Sequence, residues 1–277
     1  MINALTIDVE EFFQIHALSE TVSIEDWINY PSQVEANTQI ILDILEKASV
    51  KATFFCLGWV GRKCPSLIKK IANARHEVAS HGDMHQVIYS QDRKTFRQDI
   101  VESKKLLEDI TGKPVLGYRA PTYSITEKTI WALDELEQAG FKYDSSIFPI
   151  HHDNYGIPSA PRFPYKIEGR NLAEFPISTI RFGKLNLPIS GGGYFRLFPY
   201  LITKAGLMTI ENTGNPFVFY IHPWEFNPGN PKVEGLSTLS RFRSYINLSR
   251  TKPRYEKLVK DFSFSTMENS LKDLGLL

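Results

Sequence analysis

The chain has 277 residues, of which 42% are hydrophobic and 23% are charged, and its formal net charge is +1. This length suits one large α/β domain with a substantial core, and the composition excludes a disordered or fibrous protein. The balanced charge argues against a nucleic-acid-binding protein, which normally carries a basic excess.

The sequence predicts a cytoplasmic protein without a transmembrane segment. Residues 1–8 lack both a basic segment and a long apolar run, and no later stretch reaches 18 consecutive apolar residues. Only two cysteines occur, Cys56 and Cys64, which are too few for a disulfide framework. We therefore expect both thiols to be buried or half-buried.

The N-terminal stretch predicts a buried strand that ends in carboxylates. Residues 4–7 form an apolar run, and Asp8, Glu10 and Glu11 follow it. Side chains alternate along an extended chain, so Asp8 and Glu10 share one face while Glu11 points the other way. Two converging carboxylates are costly without a cation or hydrogen-bond donors, so the pattern favours a cation site over a solvated acidic loop.

The next part of the chain alternates between predicted helices and strands. Apolar residues at helical spacing predict helices, and short apolar runs predict strands. The predicted helices cover 34–47, 65–74, 95–112 and 126–139, and the predicted strands cover 52–57, 76–80, 115–118 and 141–143. This rhythm is typical of a parallel barrel, in which reactive residues gather at the carboxyl ends of the strands.

Two histidines four residues apart follow the predicted strand at 76–80. His81 and His85 can project from one face of a helix or tight turn, which is a chelating geometry. Two imidazoles need only one or two oxygen ligands to complete an open, zinc-type site. The pair alone is more typical of an ordinary helix surface. The metal interpretation therefore depends on the accompanying residues, which are the N-terminal carboxylates, the Arg119-Ala-Pro121 segment and His222.

The second half of the chain is richer in loops. Residues 145–196 contain six prolines and a glycine run at 191–193, which predicts a loop-rich insertion with a functional role. Further predicted elements are a helix at 200–212, a strand at 217–221 that delivers His222, and a helix at 266–274. The basic and aromatic residues after position 236 favour a solvated helical face over a polyanion site.

Five motifs in chain order resemble the polysaccharide deacetylases, the NodB-homology or carbohydrate esterase superfamily. They are Asp8-x-Glu10, His81-x-x-x-His85, Arg119-Ala-Pro121, Asp144 and His222. The resemblance covers most of residues 1–225. The finer sequence at 8–14, 143–158 and 219–226 resembles the branch associated with exopolysaccharide export and exosortase loci, which carries its own C-terminal extension.

The resemblance implies an α/β fold, a distorted barrel of seven or eight parallel strands with a loop-rich insertion and a C-terminal extension. We therefore expect a single domain over residues 1–277, with the core at about 1–225 and the extension at about 226–277.

The chemistry that the resemblance implies is the metal-assisted hydrolysis of an N-acetyl, or sometimes O-acetyl, group on a sugar. A divalent ion on His81, His85 and one carboxylate would lower the pKa of a water molecule and stabilise the developing oxyanion. We expect one such ion, Zn²⁺ first, with Co²⁺, Ni²⁺ and Mn²⁺ as alternatives.

Family position also implies roles for the remaining residues. Asp8 is expected to be the general base and His222 the general acid. Arg119 would pair with Asp8 and keep it ionised, and Asp144 would hydrogen-bond His222 and favour its protonated form. Trp224, two residues after the histidine, is expected to contact the substrate.

Two positions depart from the common family pattern. The pattern has adjacent aspartates after the first strand, the second being a ligand, and Val9 stands in that place here. Strand alternation moves the ligand to Glu10, and Glu11 remains an alternative. The aromatic residue of the Arg-x-Pro motif is displaced by one, so the N–H of either Thr122 or Tyr123 would complete the oxyanion hole.

The leading hypothesis is a metal-dependent deacetylase that acts on N-acetylhexosamine units of an exopolysaccharide or its precursor. Its partner would be an N-acetylated glycan. The prolines and the glycine run at 191–193 favour a groove for an extended substrate. One alternative is a carbohydrate-binding member that has lost turnover, and another is a hydrolase of small cyclic amides or ureides on the same fold. The sequence does not predict the oligomeric state.

Overall fold

Eleven strands are present in the computed structural model, which describes residues 2–277. They are β1 (Asn3–Val9), β2 (Thr53–Cys56), β3 (Glu77–Ser80), β4 (Gly117–Tyr118), β5 (Tyr143–Asp144), β6 (Tyr165–Lys166), β7 (Ala173–Glu174), β8 (Thr179–Phe182), β9 (Leu185–Pro188), β10 (Val218–Ile221) and β11 (Phe264–Ser265). Nine of them form one sheet, and β8 and β9 form a separate antiparallel hairpin.

The large sheet is curled and mostly parallel. Its order is β10-β1-β2-β3-β4-β5-β7-β6, with β11 also paired to β1. The pairing of β6 with β7 is antiparallel, and the other pairings in this sheet are parallel. The eight strands along this path form a half-barrel, which confirms the expected α/β fold with a distorted barrel.

Ten α-helices accompany the strands in the described residues. They are α1 (Val34–Lys47), α2 (Gly58–Lys63), α3 (Pro65–Asn73), α4 (Arg93–Thr111), α5 (Ala132–Gln138), α6 (Gly192–Leu197), α7 (Tyr200–Glu211), α8 (Thr238–Tyr245), α9 (Thr251–Asp261) and α10 (Met267–Asp273). Local signals set some of their ends. The Asp92 carboxylate accepts from the Thr95 N–H at the start of α4, and Gly112, with φ of +66°, ends that helix.

Strand β1 lies in the middle of the sheet and divides the core. All seven of its residues are buried. Leu5, Ile7 and Val9 belong to the apolar cluster shared with the helices, whereas Ala4 packs with Phe55 in a second cluster. Side chains alternate along a strand, so Asp8 shares the face of Ala4. The sequence therefore directs the Asp8 carboxylate into the barrel and not under the helices.

The C-terminal extension is built into the barrel. Strand β11 pairs with β1, opposite Asn3 and Ala4, and Met267 and Leu271 of α10 are fully buried. Upstream of the extension, Gly191 lies against β10 with φ of +135°, where a β-carbon would stand 2.0 Å from the carbonyl oxygen of Tyr220. Only glycine fits this close approach.

Two further expectations concern the cysteines and membrane-spanning helices. Cys56 and Cys64 are both buried and unbridged, as expected. No helix within residues 2–277 is long and apolar enough to cross a membrane.

Candidate functional site

Six residues singled out in the sequence lie at or just beyond the carboxyl ends of four parallel strands. Because parallel strands end at the same edge of a sheet, their terminal side chains meet in one place. They are Asp8 and Glu10 at β1, His81 and His85 after β3, Arg119 after β4, and His222 after β10. All but Arg119 line one cavity of about 610 Å³.

Glu10, His81 and His85 form a potential metal site. One ligand atom from each lies within 4.8 Å of the others. The Glu10 Oε2 atom is 2.7 Å from His85 Nε2 and 3.9 Å from His81 Nε2. The Nδ1 atom of His81 lies 2.8 Å from the carbonyl oxygen of Arg119 and must donate to it, which leaves Nε2 with a free lone pair. Two imidazole nitrogens and one carboxylate fit a divalent ion such as zinc.

The electrostatics of these three residues also suit a cation. Burial and the neighbouring His85 together lower the pKa of His81 to about 3, so the His81 ring is neutral. Burial raises the pKa of Glu10, but the charges of His85 and His222 outweigh this and lower it overall. The site therefore offers an ionised carboxylate beside a neutral imidazole, the protonation states in which these groups bind metals.

Trp224 holds the carboxylate of Glu10 in place. Its indole Nε1–H donates to Glu10 Oε1 at 3.0 Å, and its ring stacks on that of His222 at 5.4 Å. Trp224 lines the cavity as expected of a substrate contact, but its polar atom is already engaged by Glu10. Its position therefore also orients a candidate metal ligand.

Glu11 lies away from the histidines. It is 2% exposed, and its carboxylate accepts from the hydroxyl of Ser32 and from the backbone N–H groups of Gln33 and Val34, at 3.0 and 3.1 Å. These amides are at the start of α1, where a negative charge is favourable. Glu10, to which strand alternation assigns the ligand role, reaches the histidines, and Glu11, the alternative, caps a helix.

Asp8 forms the expected ion pair with Arg119. The Arg119 Nη1 atom lies 2.7 Å from Asp8 Oδ1 and also donates to the hydroxyl of Thr6 at 2.7 Å. The guanidinium is fully buried, 4.2 Å from the ring centroid of Phe55, and donates to the carbonyl and hydroxyl oxygens of Ser145. These contacts leave Asp8 Oδ2 directed towards His222, at 3.8 Å from Nε2.

His222 is paired with Glu225, and the expected hydrogen bond from Asp144 was wrong. The Nδ1 atom of His222 lies 2.7 Å from Glu225 Oε1. Asp144 ends β5, which lies five strands away from β10 in the sheet, and accepts instead from the hydroxyl of Ser146 at 2.6 Å. It faces Glu174 of β7, and burial raises the pKa of Asp144 to about 6.

The carboxylate of Glu225 is itself held by a buried arginine. Glu225 Oε2 lies 2.5 Å from Arg196 Nε. Arg196 is 2% exposed and donates to the carbonyl oxygens of Arg243 and Ile246, at 2.8 and 2.9 Å. Burial lowers the pKa of His222, but the carboxylates of Glu10, Glu225 and Asp8 raise it to about 9.

Sequence reasoning missed Glu225 and Arg196 as functional candidates. One signal for Glu225 was present, because it follows His222 by three residues in a capping-box pattern and accepts from the His222 backbone N–H at 3.1 Å. No local signal points to Arg196, since its partners come from distant parts of the chain.

Thr122 and Tyr123 form a tight turn with left-handed backbone conformations, at φ of +56° and +53°. Such values cost of order 1–3 kcal/mol for non-glycine residues and occur most often at functional sites. The Tyr123 N–H donates to the carbonyl of Ala120 at 3.1 Å. Of the two amides that the sequence left open, Thr122 is therefore the better candidate for an oxyanion donor.

Both the insertion and the extension supply walls of the cavity. The insertion contributes His152 and Tyr155, whose rings stack at 3.7 Å, and the extension contributes Phe242 and Arg243 of α8. Arg241, Phe242 and Arg243 of α8 are exposed, as expected of a solvated helical face, and the same face borders the open cavity. The cavity is open and rich in aromatic side chains.

Comparisons with known proteins agree with this geometry. A profile described as polysaccharide deacetylase matches residues 26–143, and one described as a domain of unknown function, DUF3473, matches residues 145–272. A peptidoglycan deacetylase of Helicobacter pylori is 26% identical over 182 residues, which cover 65% of this chain and 58% of that protein. The chain thus spans less than two thirds of that relative.

Two solved structures share the fold. A protein of Mycobacterium smegmatis, provisionally assigned as a polysaccharide deacetylase, has a TM-score of 0.64 at 20% identity, with 99% of this chain and 90% of that chain covered. A family CE4 pseudoenzyme of Bacillus anthracis has a TM-score of 0.50 at 14% identity, with coverage of 98% and 65%. The profile match over residues 26–143, the deacetylase relatives and the shared fold together support assignment of the chain to the polysaccharide deacetylase superfamily.

Proposed function

We propose that the protein is a metal-dependent hydrolase that removes N-acetyl groups from hexosamine units of a bacterial exopolysaccharide or its precursor. The observation that carries this proposal is the convergence of a metal-type triad with Asp8 and His222 in one cavity. The Helicobacter pylori relative is named a peptidoglycan deacetylase, which supports an acetylated glycan as the substrate class.

Glu10, His81 and His85 would hold the ion, which we expect to be Zn²⁺, with Co²⁺, Ni²⁺ and Mn²⁺ as alternatives. A divalent ion there supplies Lewis acidity, which polarises the acetyl carbonyl and lowers the pKa of a water molecule. Trp224 contributes by fixing the second oxygen of Glu10, which keeps this side chain from rotating away from the histidines.

Asp8 is proposed to be the general base. Arg119 binds Oδ1 and fixes the orientation of the carboxylate, while Oδ2 faces the open side of the site. A carboxylate held in this way can accept a proton from the attacking water without turning. Burial of Arg119 among fixed hydrogen-bond acceptors makes the base a rigid part of the site.

His222 is proposed to be the general acid that protonates the leaving amine. Glu225 holds Nδ1–H, so Nε2 carries the proton that is transferred. The pKa of about 9 keeps the ring protonated at neutral pH. Part of this rise comes from the charge of Glu10, which a bound cation would offset, so we expect the working pKa to lie below this value.

The Thr122 N–H is proposed to bind the oxyanion, and the cavity walls are proposed to bind the glycan. Aromatic side chains such as Tyr155 and Phe242 offer flat apolar faces, with polar groups between them. The DUF3473 match at residues 145–272 includes these walls, and we propose that this region determines which glycan is bound. The cytoplasmic location stays a prediction.

The test is acetate release from N-acetylglucosamine oligomers by protein loaded with Zn²⁺, with and without a chelator. We expect release that the chelator abolishes and that readdition of metal restores. Asp8→Asn is the matched variant, since it keeps the shape and the ligand set but lacks a base. Release that persists in Asp8→Asn would contradict the mechanism.

Other outcomes of this experiment distinguish the alternatives. A glycan-binding member without turnover is a second candidate, because one of the structural neighbours is a pseudoenzyme. It would bind oligomers, measured by calorimetry, yet release no acetate with any of the four metals. Hydrolysis of small cyclic amides or ureides without acetate release would instead favour the third interpretation.

A further inference from the structure

The β8–β9 hairpin carries apolar side chains on one face. Ile180 lies opposite Leu187 and Phe182 lies opposite Leu185, so all four side chains share that face. Gly183 begins the two-residue turn with φ of +57°. Near the turn, Phe182 is 72% exposed and Leu185 is 57% exposed. Apolar side chains of a hairpin are normally covered by the rest of the protein, but Phe182 and Leu185 are open to solvent.

Helix α7 packs beside this hairpin and exposes apolar side chains of its own. A β-carbon at Gly206 would stand 2.5 Å from Ile189 and 3.6 Å from Ile180, so the helix and the hairpin are in close contact. On its outer side, Leu201 is 76% exposed and Ile202 is 51% exposed. We name β8, β9 and α7 together the hairpin–helix surface. An exposed apolar area of this kind marks an interaction site.

The charge of the same region is one-sided. Residues 175–210 contain no acidic residue, and of their four cationic residues Arg181 and Lys184 lie on the hairpin and Lys204 on α7, whereas Arg196 is buried against Glu225. Arg162, Arg181 and Lys184 form no ion pair with any residue of the described part of the chain. Burial and the nearby Arg181 both lower the pKa of Arg162, which shows that these two cations repel each other. Lys204 differs, since it lies 3.1 Å from Asp261.

We propose that the hairpin–helix surface docks onto an anionic lipid membrane. Exposed aromatic and aliphatic side chains enter the boundary between headgroups and acyl chains, and adjacent Arg and Lys side chains bind anionic headgroups. A symmetric contact between two copies of this chain would bring identical cations together around the apolar area, which disfavours self-association. Unpaired cations beside apolar groups fit an anionic, partly apolar partner.

The surface also adjoins the cavity. Leu197 ends α6, three residues before α7 begins, lines the cavity and is 42% exposed. A protein docked through α7 would therefore hold one side of the cavity close to the lipid headgroups. This proposal goes beyond the deacetylase function and does not depend on it.

The test is cosedimentation of the full chain with vesicles of phosphatidylglycerol, and with vesicles of phosphatidylcholine for comparison. We expect binding to the anionic vesicles that weakens as salt is added. Phe182→Ser combined with Leu185→Ser should lower the binding constant about tenfold or more, because two apolar side chains are lost. Arg181→Gln combined with Lys184→Gln should lower it as well and should reduce the salt dependence.

Matched controls come from exposed residues elsewhere. Ile28→Ser, at a side chain that is 69% exposed, and Lys105→Gln, on α4, should leave binding unchanged. Circular dichroism and the melting temperature verify that each variant is folded. The proposal is overturned if the wild type does not bind anionic vesicles or if the hairpin variants bind as well as the controls. Self-association without lipid binding, abolished by the hairpin substitutions, would also overturn it.

Discussion

The two ring nitrogens of His222 meet different carboxylates. Nδ1 is 2.7 Å from Glu225, while Nε2 stands 3.8 Å from both Asp8 and Glu10. Only the first distance is a hydrogen bond. The ring is thus fixed at one nitrogen and left free at the other, as a proton donor requires.

The first prediction concerns Glu225→Gln. The amide can keep the hydrogen bond to Nδ1–H but not the charge that raises the pKa of His222. We expect kcat to fall roughly 10- to 100-fold, with metal content and KM near the wild-type values. The alkaline limb of the kcat profile should move to lower pH, since the acid loses its proton earlier. Steady-state kinetics at several pH values give the measurement.

Asp144→Asn is the control for this substitution, because Asp144 is the residue that family position assigned to the same role. It should change kcat little. A larger loss of kcat in Asp144→Asn than in Glu225→Gln would contradict the pairing seen in the structure.

The second prediction separates the two neighbouring glutamates. Glu10→Gln should lower metal content, measured by atomic absorption, because a neutral oxygen replaces a charged ligand. Glu11→Gln should retain metal but lose about 1–3 kcal/mol of unfolding free energy, because its charge accepts three hydrogen bonds at the start of α1. Normal metal content in Glu10→Gln beside poor content in Glu11→Gln would reverse the assignment.

The third prediction is a pH dependence of stability from Asp144. Burial raises its pKa from 3.8 to about 6, so the folded state holds this proton more tightly than the unfolded chain does. That contribution to stability is present below pH 3.8 and is lost as the pH rises to about 6. The melting temperature of Asp144→Asn should therefore rise relative to that of the wild type as the pH increases over this range. A constant difference would show that Asp144 does not titrate there.

At the scale of elements, the sequence predicted those helices and strands that a local pattern of apolar residues determines. The predicted helix at 34–47 coincides with α1, because its apolar residues keep one face buried. The predicted helix at 126–139 instead begins as a 3-10 turn, Glu127–Thr129, before α5. Strands β6 and β7 have two residues each and depend on their neighbours in the sheet, so no sequence pattern revealed them.

The same limit applies to the site. His81, His85 and Asp8 were predictable because each follows a strand and carries a chemical signature. The partner of His222 was not, because the choice between Asp144 and Glu225 depends on which strands are neighbours in the sheet. Arg196 was unpredictable for a similar reason, since it bonds to main-chain atoms almost fifty residues away.

The fourth prediction concerns the contact between the α6 region and β10. Gly191→Ala combines an unfavourable φ with a β-carbon 2.0 Å from the Tyr220 carbonyl oxygen. We expect a loss of more than about 1 kcal/mol of unfolding free energy, measured with urea. Gly214→Ala is the matched control, because it has φ of +77° but no atom within 4 Å of the new β-carbon. Equal losses in both variants would mean that the close contact is unimportant.

At the scale of the whole molecule, the C-terminal residues close the N-terminal end of the barrel. Glu77 at the start of β3 accepts from Thr53, from Tyr143 and from the backbone N–H of Glu268, at 2.6, 2.6 and 3.1 Å. One half-buried carboxylate thus joins β2, β5 and α10. We propose on this basis that residues 1–277 form one domain, with core and extension folding together.

The fifth prediction tests this proposal. Urea unfolding followed by tryptophan fluorescence and by far-UV circular dichroism should give coincident single transitions. Removal of residues 262–277 should abolish the folded state, because it uncovers β1 and deletes the buried side chains of Met267 and Leu271. Two separate transitions, or a truncated chain with an unchanged melting temperature, would show that the extension is an independent unit.

The hydrogen bonds from Arg196 to the C-terminal extension affect which substitutions the extension can accept without disturbing the site. The acceptors in the extension are carbonyl oxygens of the main chain, at positions 243 and 246. Main-chain carbonyls are present whatever the side chain, so mutation at these positions leaves the support of Glu225 and His222 in place. The Arg243 side chain, meanwhile, points to the cavity wall. Under the proposed function, substitutions on α8 can therefore change the glycan preference without disturbing His222, provided that the backbone path is kept.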